Sequence, residues 1–581
     1  MKEKFYTSER NIQMLISLLK YHNIRKIVAS PGATNVTLVA SLMQDPFFEM
    51  YSSVDERSAA YIACGLSAES GEPVVLSCTG ATASRNYVPG LTEAFYRKLP
   101  ILAVTSTQDA SRIGHLRAQV IDRRVQLNDI FVRSEQIQVA DTPKDEWDVN
   151  LKLNRAILEL NHRGGGPVHI NLTTTYSRDF SVKTLPDTRV INRYTQNDTL
   201  PELPVGKTGI FVGNHKKFTE KETEAIDKFC AANDAVVFCD HTSGYYGKYR
   251  VQFALAIDQS DMVSECRFLE TMIHIGEVSG DSPTMQLKAN RVWRVSEDGE
   301  LRDTFQKLEK VFEMPEYIFF NHYAKGSASP KKNFYDQCQK ELQHVRANMP
   351  ELPFANTWIV SQVAPRLPKN SVIHLSILNT LRNWNMFEVD SSITRSSNTG
   401  GFGIDGILST LIGASLVDTN KLCFVAIGDL AFFYDMNAAG NRHVGKNVRI
   451  LLVNNGKGTE FRNYNHPGAA FGDDADLYIA AGGHYGNKSR ELVKHYAEDL
   501  GYEYMSANNK EEFLAVVDRF VTPQLTEKPM LLEVFTTNED ESDSLKIMRS
   551  LCTNSTGLVR NAVRNIIGQK GVNVAKKILG K

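Results

Sequence analysis

Residues Ile427–Phe461 read IGDLAFFYDMNAAGNRHVGKNVRILLVNNGKGTEF, and the punctuation of this stretch decides the fold. An apolar run from Leu422 to Ile427 breaks at Gly428-Asp429. An amphipathic segment follows, and a second β-type run, Val448–Val453, ends on Asn454-Asn455-Gly456. Two buried strands around a helix-length segment make one βαβ unit of a parallel sheet. Ligands of such sheets bind beyond the carboxyl ends of the strands, where Asp429 and the Asn pair are brought together. A carboxylate, an amide oxygen and a nearby backbone carbonyl form a hard, all-oxygen set. That set suits Mg²⁺ when a phosphate and water fill its remaining positions. The plainer alternative is a βαβ unit with a strand-end Asp and an Asn turn.

Working outward, the chain of 581 residues is too long for one core and suggests about three to four domains. A hydrophobic share of 42% and a charged share of 23% are those of an ordinary soluble protein. The formal charge of −1 gives no global attraction to nucleic acid or anionic membrane. The N-terminal MKEKFYTSERN lacks an apolar signal core, and no apolar run is long enough to span a bilayer. Eight cysteines without a Cys-x-x-Cys pair, four of them (Cys64, Cys78, Cys239, Cys423) in apolar surroundings, point to reduced core residues. A cytoplasmic location is expected.

In the N-terminal third a helix over Asn11–Tyr21 precedes a strand, Lys26–Ala29, that ends in Ser30-Pro31-Gly32-Ala33-Thr34-Asn35. Strands Val74–Ser77, Ile101–Thr105 and Val168–Leu172 continue the pattern and predict a doubly wound α/β domain. No GxGxxG or Walker A loop points to a dinucleotide or an NTP. Asp55 and Glu56 head an Ala-rich helical segment, a place that the helix dipole favours for any acid. Residues 186–204, rich in Pro, Asp and Thr, read as a linker. A second α/β pattern follows, with strand Thr208–Val212, a helix from Thr219, and strands Ala235–Cys239 and Arg291–Val295. His215, His241 and His274 there read as structural or exposed. A third domain begins near Asn356; its glycine-rich Ser397–Gly406 permits close backbone approach to a ligand before a helix at Ile407.

Three pieces taken in order, SPG…DERSA, SN-x-GG-x-GIDG and GDLAFFYDMN…VNN, resemble the thiamine diphosphate (ThDP) enzymes. They are most similar to the branch that holds the menaquinone-pathway synthase, which decarboxylates 2-oxoglutarate and adds the product to isochorismate. The resemblance covers about residues 8–540. It implies α/β architecture with three doubly wound parallel-sheet domains: pyrimidine-binding 1–185, central 205–345 and diphosphate/Mg-binding 350–543, followed by a basic tail 544–581. It implies that Asp429 and Asn455, by side chain, and Lys457, by its carbonyl, hold Mg²⁺. Gly428 and Leu430 then lie against the cofactor, and Ile404 props it in a bent conformation. Glu56 is implied as the catalytic acid that hydrogen-bonds the aminopyrimidine, a role that wants a carboxyl shielded from water. The implied assembly is a homodimer or tetramer, with a small-molecule 2-oxo acid and an acceptor as substrates.

Departures from that branch shape the substrate expectation. Where the synthase carries arginines, this chain has Thr34, Gln108 and Thr399, with Asn35 beside the first. Arg382 and Gln119 match family substrate positions. Each missing charged contact is worth on the order of 1.5–3 kcal/mol, which predicts a substrate pair different from that of the menaquinone synthase. The synthase activity itself, and a non-catalytic scaffold with the same fold, are the alternatives. Arg112, Arg117 and Arg123 are nearby charges that would compensate. His466 is a further acid–base candidate, with an ordinary loop histidine as the alternative. Beyond the acidic Asn538–Asp543, the sequence from Leu545 to the end has no Asp or Glu, which suggests either weak membrane-surface contact or a helix packed across a dimer.

Overall fold

The computed structural model describes residues 5–325, 333–483 and 489–552, and the tail expectation for residues beyond 552 lies outside them. The chain divides into two compact units, residues 1–198 with 299–313, and residues 199–298 with 314–581. Three all-parallel sheets with helices between their strands make it an α/β protein.

In the first unit the strands run in the order Glu49–Ser52, Lys26–Ala29, Val74–Thr79, Ile101–Thr107, Val168–Thr173, Arg133–Ile137. The winding direction switches between Lys26–Ala29 and Val74–Thr79, so the Ser30–Asn35 turn leaves the sheet at its ligand-binding crevice. Gly32 is required there, because a Cβ would come within 2.7 Å of the Thr79 Cβ. Helices Arg10–Tyr21 and Pro143–Glu159 cover one face through Ile12, Leu15, Leu19, Leu153 and Ile157. The other face is covered by Glu56–Ser70 and Val88–Arg97, packed through Ala59, Ala63, Leu91 and Ala94. Gly90 lets these two helices cross closely, since a Cβ on it would stand 2.5 Å from the Ala60 Cβ. That crossing fixes the N-terminus on which Glu56 sits.

Two expected boundaries are corrected. The segment read as a linker contains a strand, Asn192–Thr195, paired in parallel with Leu308–Glu313. Residues 299–313 group with the first unit, while strand Leu308–Glu313 belongs to the seven-stranded sheet of the expected central domain. The four residues of Asn192–Thr195, Asn-Arg-Tyr-Thr, carry too short an alternation to be seen against polar neighbours. The acidic Asn538–Asp543 forms the first turns of helix Asn538–Met548, capped by Thr537, so this helix runs past the expected domain end at 543. Acids are favoured there by the helix dipole, and Glu541 is wholly buried.

In the second unit one sheet of seven strands begins Arg250–Val251, Val236–Phe238, Thr208–Val212, Phe268–Ile275 and Lys288–Ser296, and ends on Leu308–Glu313 and Asn192–Thr195. The other orders Thr394–Ser396, Val372–Leu375, Cys423–Gly428, Val448–Asn454, Met530–Phe535 and Glu503–Ala507. Its switch point lies between Val372–Leu375 and Cys423–Gly428, directly before Asp429. All eight cysteines are free, seven of them buried. Among the described residues, no helix is long and apolar enough to cross a membrane.

A buried polar chain crosses the first sheet, and it gives a test of the packing. His169 lies between Ser134 Oγ (2.8 Å) and Thr105 Oγ1 (2.7 Å) and stacks on Phe131. Burial, with help from Arg123 and Arg85, lowers its pKa to about 3. The folded state thus keeps His169 neutral while the unfolded chain binds a proton from the ordinary value of 6.5 downward. Stability contributed by this group is complete at neutral pH and is lost as pH falls from 6.5 toward 3. The expected loss between pH 7 and pH 5 is about 2 kcal/mol. Denaturant titrations of wild type and His169→Asn at several pH values check this: the variant should show a flatter acid limb, and parallel limbs would contradict it.

Candidate active site

The candidate metal turn is assembled by strand register. Ile427 and Gly428 pair with Leu452 and Val453, so Asp429 and the Asn454-Asn455-Gly456 turn leave the sheet side by side. Asp429 opens helix Asp429–Ala439 and is 5% exposed. Its Oδ1 accepts from the Leu430 N–H at 2.8 Å and its Oδ2 from the Gly456 N–H at 2.6 Å, tying the two strand ends together. Burial pushes this carboxyl up to about 7, with the backbone N–H groups of Leu430, Gly456 and Asn455 opposing. Among the described residues no Lys or Arg pairs with it; Lys457 Nζ turns instead to Asp476 at 2.5 Å.

The two asparagines divide their work. Asn454 is buried and donates to Glu533 Oε1 at 2.7 Å, which makes it a structural residue. Asn455 Nδ2 points to Thr459 Oγ1 at 3.3 Å, leaving Oδ1 buried with no hydrogen-bond partner among the described residues. The Lys457 carbonyl accepts from Thr459 N–H at 2.9 Å and keeps a second lone pair. A Cβ on Gly428 would meet nothing within 4 Å, so the first turn of the helix opens on free space. A buried carboxylate without a cation, an orphaned amide oxygen and an open helix N-terminus fit a Mg²⁺–diphosphate group. No cluster of three or more His, Cys, Asp or Glu offers a rival metal site among the described residues.

Nearby, Ile404 is half-buried against the core cluster that contains Ile427 and Phe432. Gly406, in the left-handed region at φ +81°, starts helix Ile407–Ser415. Thr399, a candidate substrate residue, is 1% exposed, and its Oγ1 accepts from Asn214 Nδ2 at 2.7 Å. Arg382, on helix Asn379–Trp384, is held by Glu460 through both terminal nitrogens, at 2.7 and 2.8 Å. His466 accepts the Gly468 N–H on Nδ1 at 3.0 Å and packs edge-on to Phe461, which favours the loop-histidine reading. Glu460 was invisible to sequence reasoning, since its partner lies 78 residues away.

In the first unit, Asp55 and Glu56 also separate in role. Asp55 caps helix Glu56–Ser70, accepting the Ser58 N–H at 3.2 Å and the Ser58 hydroxyl at 2.6 Å. Glu56 is the first helical residue, half-buried, and its carboxylate accepts from Asn86 Nδ2 at 3.3 Å. Thr34 and Asn35, the candidate substrate residues of this unit, are likewise buried and bonded within the protein. Thr34 is 3% exposed and donates to the Ser106 carbonyl at 2.8 Å. Asn35 is 2% exposed and donates to the Ser30 carbonyl at 3.0 Å. Gln119 is exposed, in the left-handed region at φ +63°. Gln108 Oε1 accepts from Arg112 Nη1 at 2.5 Å, so a guanidinium stands beside position 108 after all. Arg117 is exposed. Arg123 is a core residue, 1% exposed, bonded to Thr105 and Asn171, and burial lowers its pKa to about 10.

Parallel sheets with ligand turns at their switch points, and an open oxygen set at one of them, define the class: a thiamine diphosphate enzyme. Residues 11–127 match the model of the thiamine pyrophosphate enzyme N-terminal TPP binding domain. The chain is 30% identical over 562 residues to a 2-succinyl-5-enolpyruvyl-6-hydroxy-3-cyclohexene-1-carboxylate synthase of Bacteroides thetaiotaomicron, covering 93% of this chain and 98% of the relative. It is 32% identical over 567 residues to the synthase of the same name from Phocaeicola vulgatus, with the same coverage. That of Flavobacterium psychrophilum is 28% identical over 552 residues, covering 90% and 95%. The chain belongs to this family of ThDP enzymes. The expectation of a different substrate pair is thereby overturned. Counting absent arginines treated each charge as fixed to one position, whereas Arg112 brings a guanidinium to Gln108 from elsewhere on its segment.

Proposed function

We propose that the chain is a ThDP- and Mg²⁺-dependent synthase that joins isochorismate to the four-carbon unit left when 2-oxoglutarate loses CO₂. The product would be 2-succinyl-5-enolpyruvyl-6-hydroxy-3-cyclohexene-1-carboxylate. The observation that carries this reading is the end-to-end match to synthases of that name, 93% of this chain against 98% of the relative. When bound, the cofactor supplies the electron sink as CO₂ leaves a 2-oxo acid.

The remaining work falls to residues of the chain. Glu56 holds and returns a proton at its carboxylate, a step of general acid–base type. Asp429, Asn455 Oδ1 and the Lys457 carbonyl hold Mg²⁺, while Gly428 and Leu430 line the approach to the helix N-terminus. Ile404 gives apolar support. Arg382 and Gln119 orient substrate carboxylate and carbonyl groups, and Arg112 adds a second guanidinium. We read the working assembly as at least a homodimer, as the family resemblance implies. Apolar side chains left open in each unit support that: Val54, Tyr61 and Ile62 at 81%, 48% and 44% exposure in one, Tyr434 and Tyr478 at 66% and 94% in the other.

Incubation with ThDP, Mg²⁺, 2-oxoglutarate and isochorismate tests the assignment. Isochorismate absorbance should fall, and omission of 2-oxoglutarate should stop the loss. Isochorismate that persists in the complete mixture would overturn it.

A further inference from the structure

One ion pair stands where a substrate group is expected. Arg382 gives both terminal nitrogens to the two oxygens of Glu460, and the side chains are 23% and 20% exposed. A guanidinium held in this way has its carboxylate-reading edge filled. The pair borders a cavity of about 200 Å³ whose walls also include Asp258, Gln286, His466 and Arg549. Arg549 is itself bonded to Asp258 at 2.9 Å. Each cation on the cavity therefore already holds a carboxylate of the chain, and Asp258 and Asp281 add negative charge around Arg382.

Glu460 rides on the short turn Thr459–Arg462, which follows the metal turn at once. Asn455 Nδ2 binds Thr459 Oγ1 at 3.3 Å, and Thr459 N–H binds the Lys457 carbonyl at 2.9 Å. The element that presents Glu460 is thus hinged directly on the residues that would hold the metal.

We propose that Glu460 is a tethered stand-in for the substrate carboxylate. It fills the Arg382 fork in the resting protein and is displaced when a 2-oxo dicarboxylate enters, so it sets specificity for the carboxylate end of that substrate. The inference rests on the reading of Arg382 as a substrate arginine under the proposed function. An incoming carboxylate replaces one bidentate pair with another. A ligand that lacks the carboxylate would displace Glu460 and leave the half-buried Arg382 without its carboxylate partner, a loss that nothing repays. The tethered group thereby discriminates against neutral analogues more than it weakens the correct substrate.

The test titrates the full chain, wild type and Glu460→Gln, with glutarate, a non-reacting dicarboxylate of the same length as 2-oxoglutarate, and with its diamide. Calorimetry should show glutarate binding at least about fivefold tighter to the variant, as expected when a competing charged contact is weakened. The diamide should gain nothing, and KM for 2-oxoglutarate should fall by a similar factor while KM for isochorismate stays unchanged. Unchanged or weaker glutarate binding in a variant that melts like wild type would overturn the proposal and leave Glu460 as a residue that orients Arg382. Should Glu460→Gln fail to fold, Glu460→Asp, too short to span both nitrogens, is read by the same criterion. Tighter glutarate binding without isochorismate turnover would sink the proposed function alone, whereas turnover without tightening would sink only the role of Glu460.

Discussion

Asp429→Ala is expected to abolish tight ThDP binding, with affinity lower by at least ~100-fold. The carboxylate lies at the meeting of two strand ends, bonded to the Leu430 and Gly456 N–H groups and to no side-chain cation among the described residues. Such a buried charge is costly without a counterion, and the orphaned Asn455 Oδ1 shows that a second oxygen donor waits beside it. A divalent cation settles both groups at once. Asp429→Asn removes the charge but keeps one of the two backbone acceptors, whereas Asp429→Ala removes both. Wild type should melt higher with ThDP and Mg²⁺ together than with neither, as ligand linkage requires. Both variants should lose that rise, and without ligands Asp429→Asn should melt no lower than Asp429→Ala, since it keeps one backbone acceptor. Unchanged ThDP affinity in either variant, measured by calorimetry with and without Mg²⁺, would remove Asp429 from the site.

Glu56→Gln is expected to leave folding and ThDP binding nearly intact and to slow turnover by about 10²–10⁴-fold, the usual cost of losing a general acid–base group. The helix does not need this carboxylate as its cap, since Asp55 performs that task. The close crossing at Gly90 holds the helix whatever stands at position 56. The effect should therefore appear in kcat rather than in stability. Hydrogen–deuterium exchange at the thiazolium C2 of bound cofactor, followed by NMR, reads the proton step itself. Exchange at the wild-type rate in Glu56→Gln would contradict the assignment.

The metal turn was legible in the sequence because its parts are local. A βαβ unit announces itself by two apolar runs, and the strand ends carry Asp429 and Asn455 with them. That Asn455 rather than Asn454 is the candidate ligand came from the family resemblance and not from composition or spacing; the physical reason is Glu533, a residue on a neighbouring strand that claims Asn454. The strand Asn192–Thr195 escaped because its partner Leu308–Glu313 is more than a hundred residues away, and pairing rather than composition makes it a strand. The substrate expectation failed through position counting. Thr34 and Thr399 do stand where arginines were sought, but both are turned into the protein's own hydrogen bonds. The guanidinium at Gln108 comes from Arg112, four residues on and one of the three nearby arginines that the sequence offered as compensating charges.

The central claim, a ThDP synthase that couples loss of CO₂ to capture of isochorismate, is met most directly by counting both at once. With ThDP, Mg²⁺ and 2-oxoglutarate present, CO₂ release should depend on added isochorismate, run at one CO₂ per isochorismate consumed, and stop when Mg²⁺ is chelated. CO₂ released at the same rate without isochorismate, or isochorismate consumed without CO₂, would contradict it.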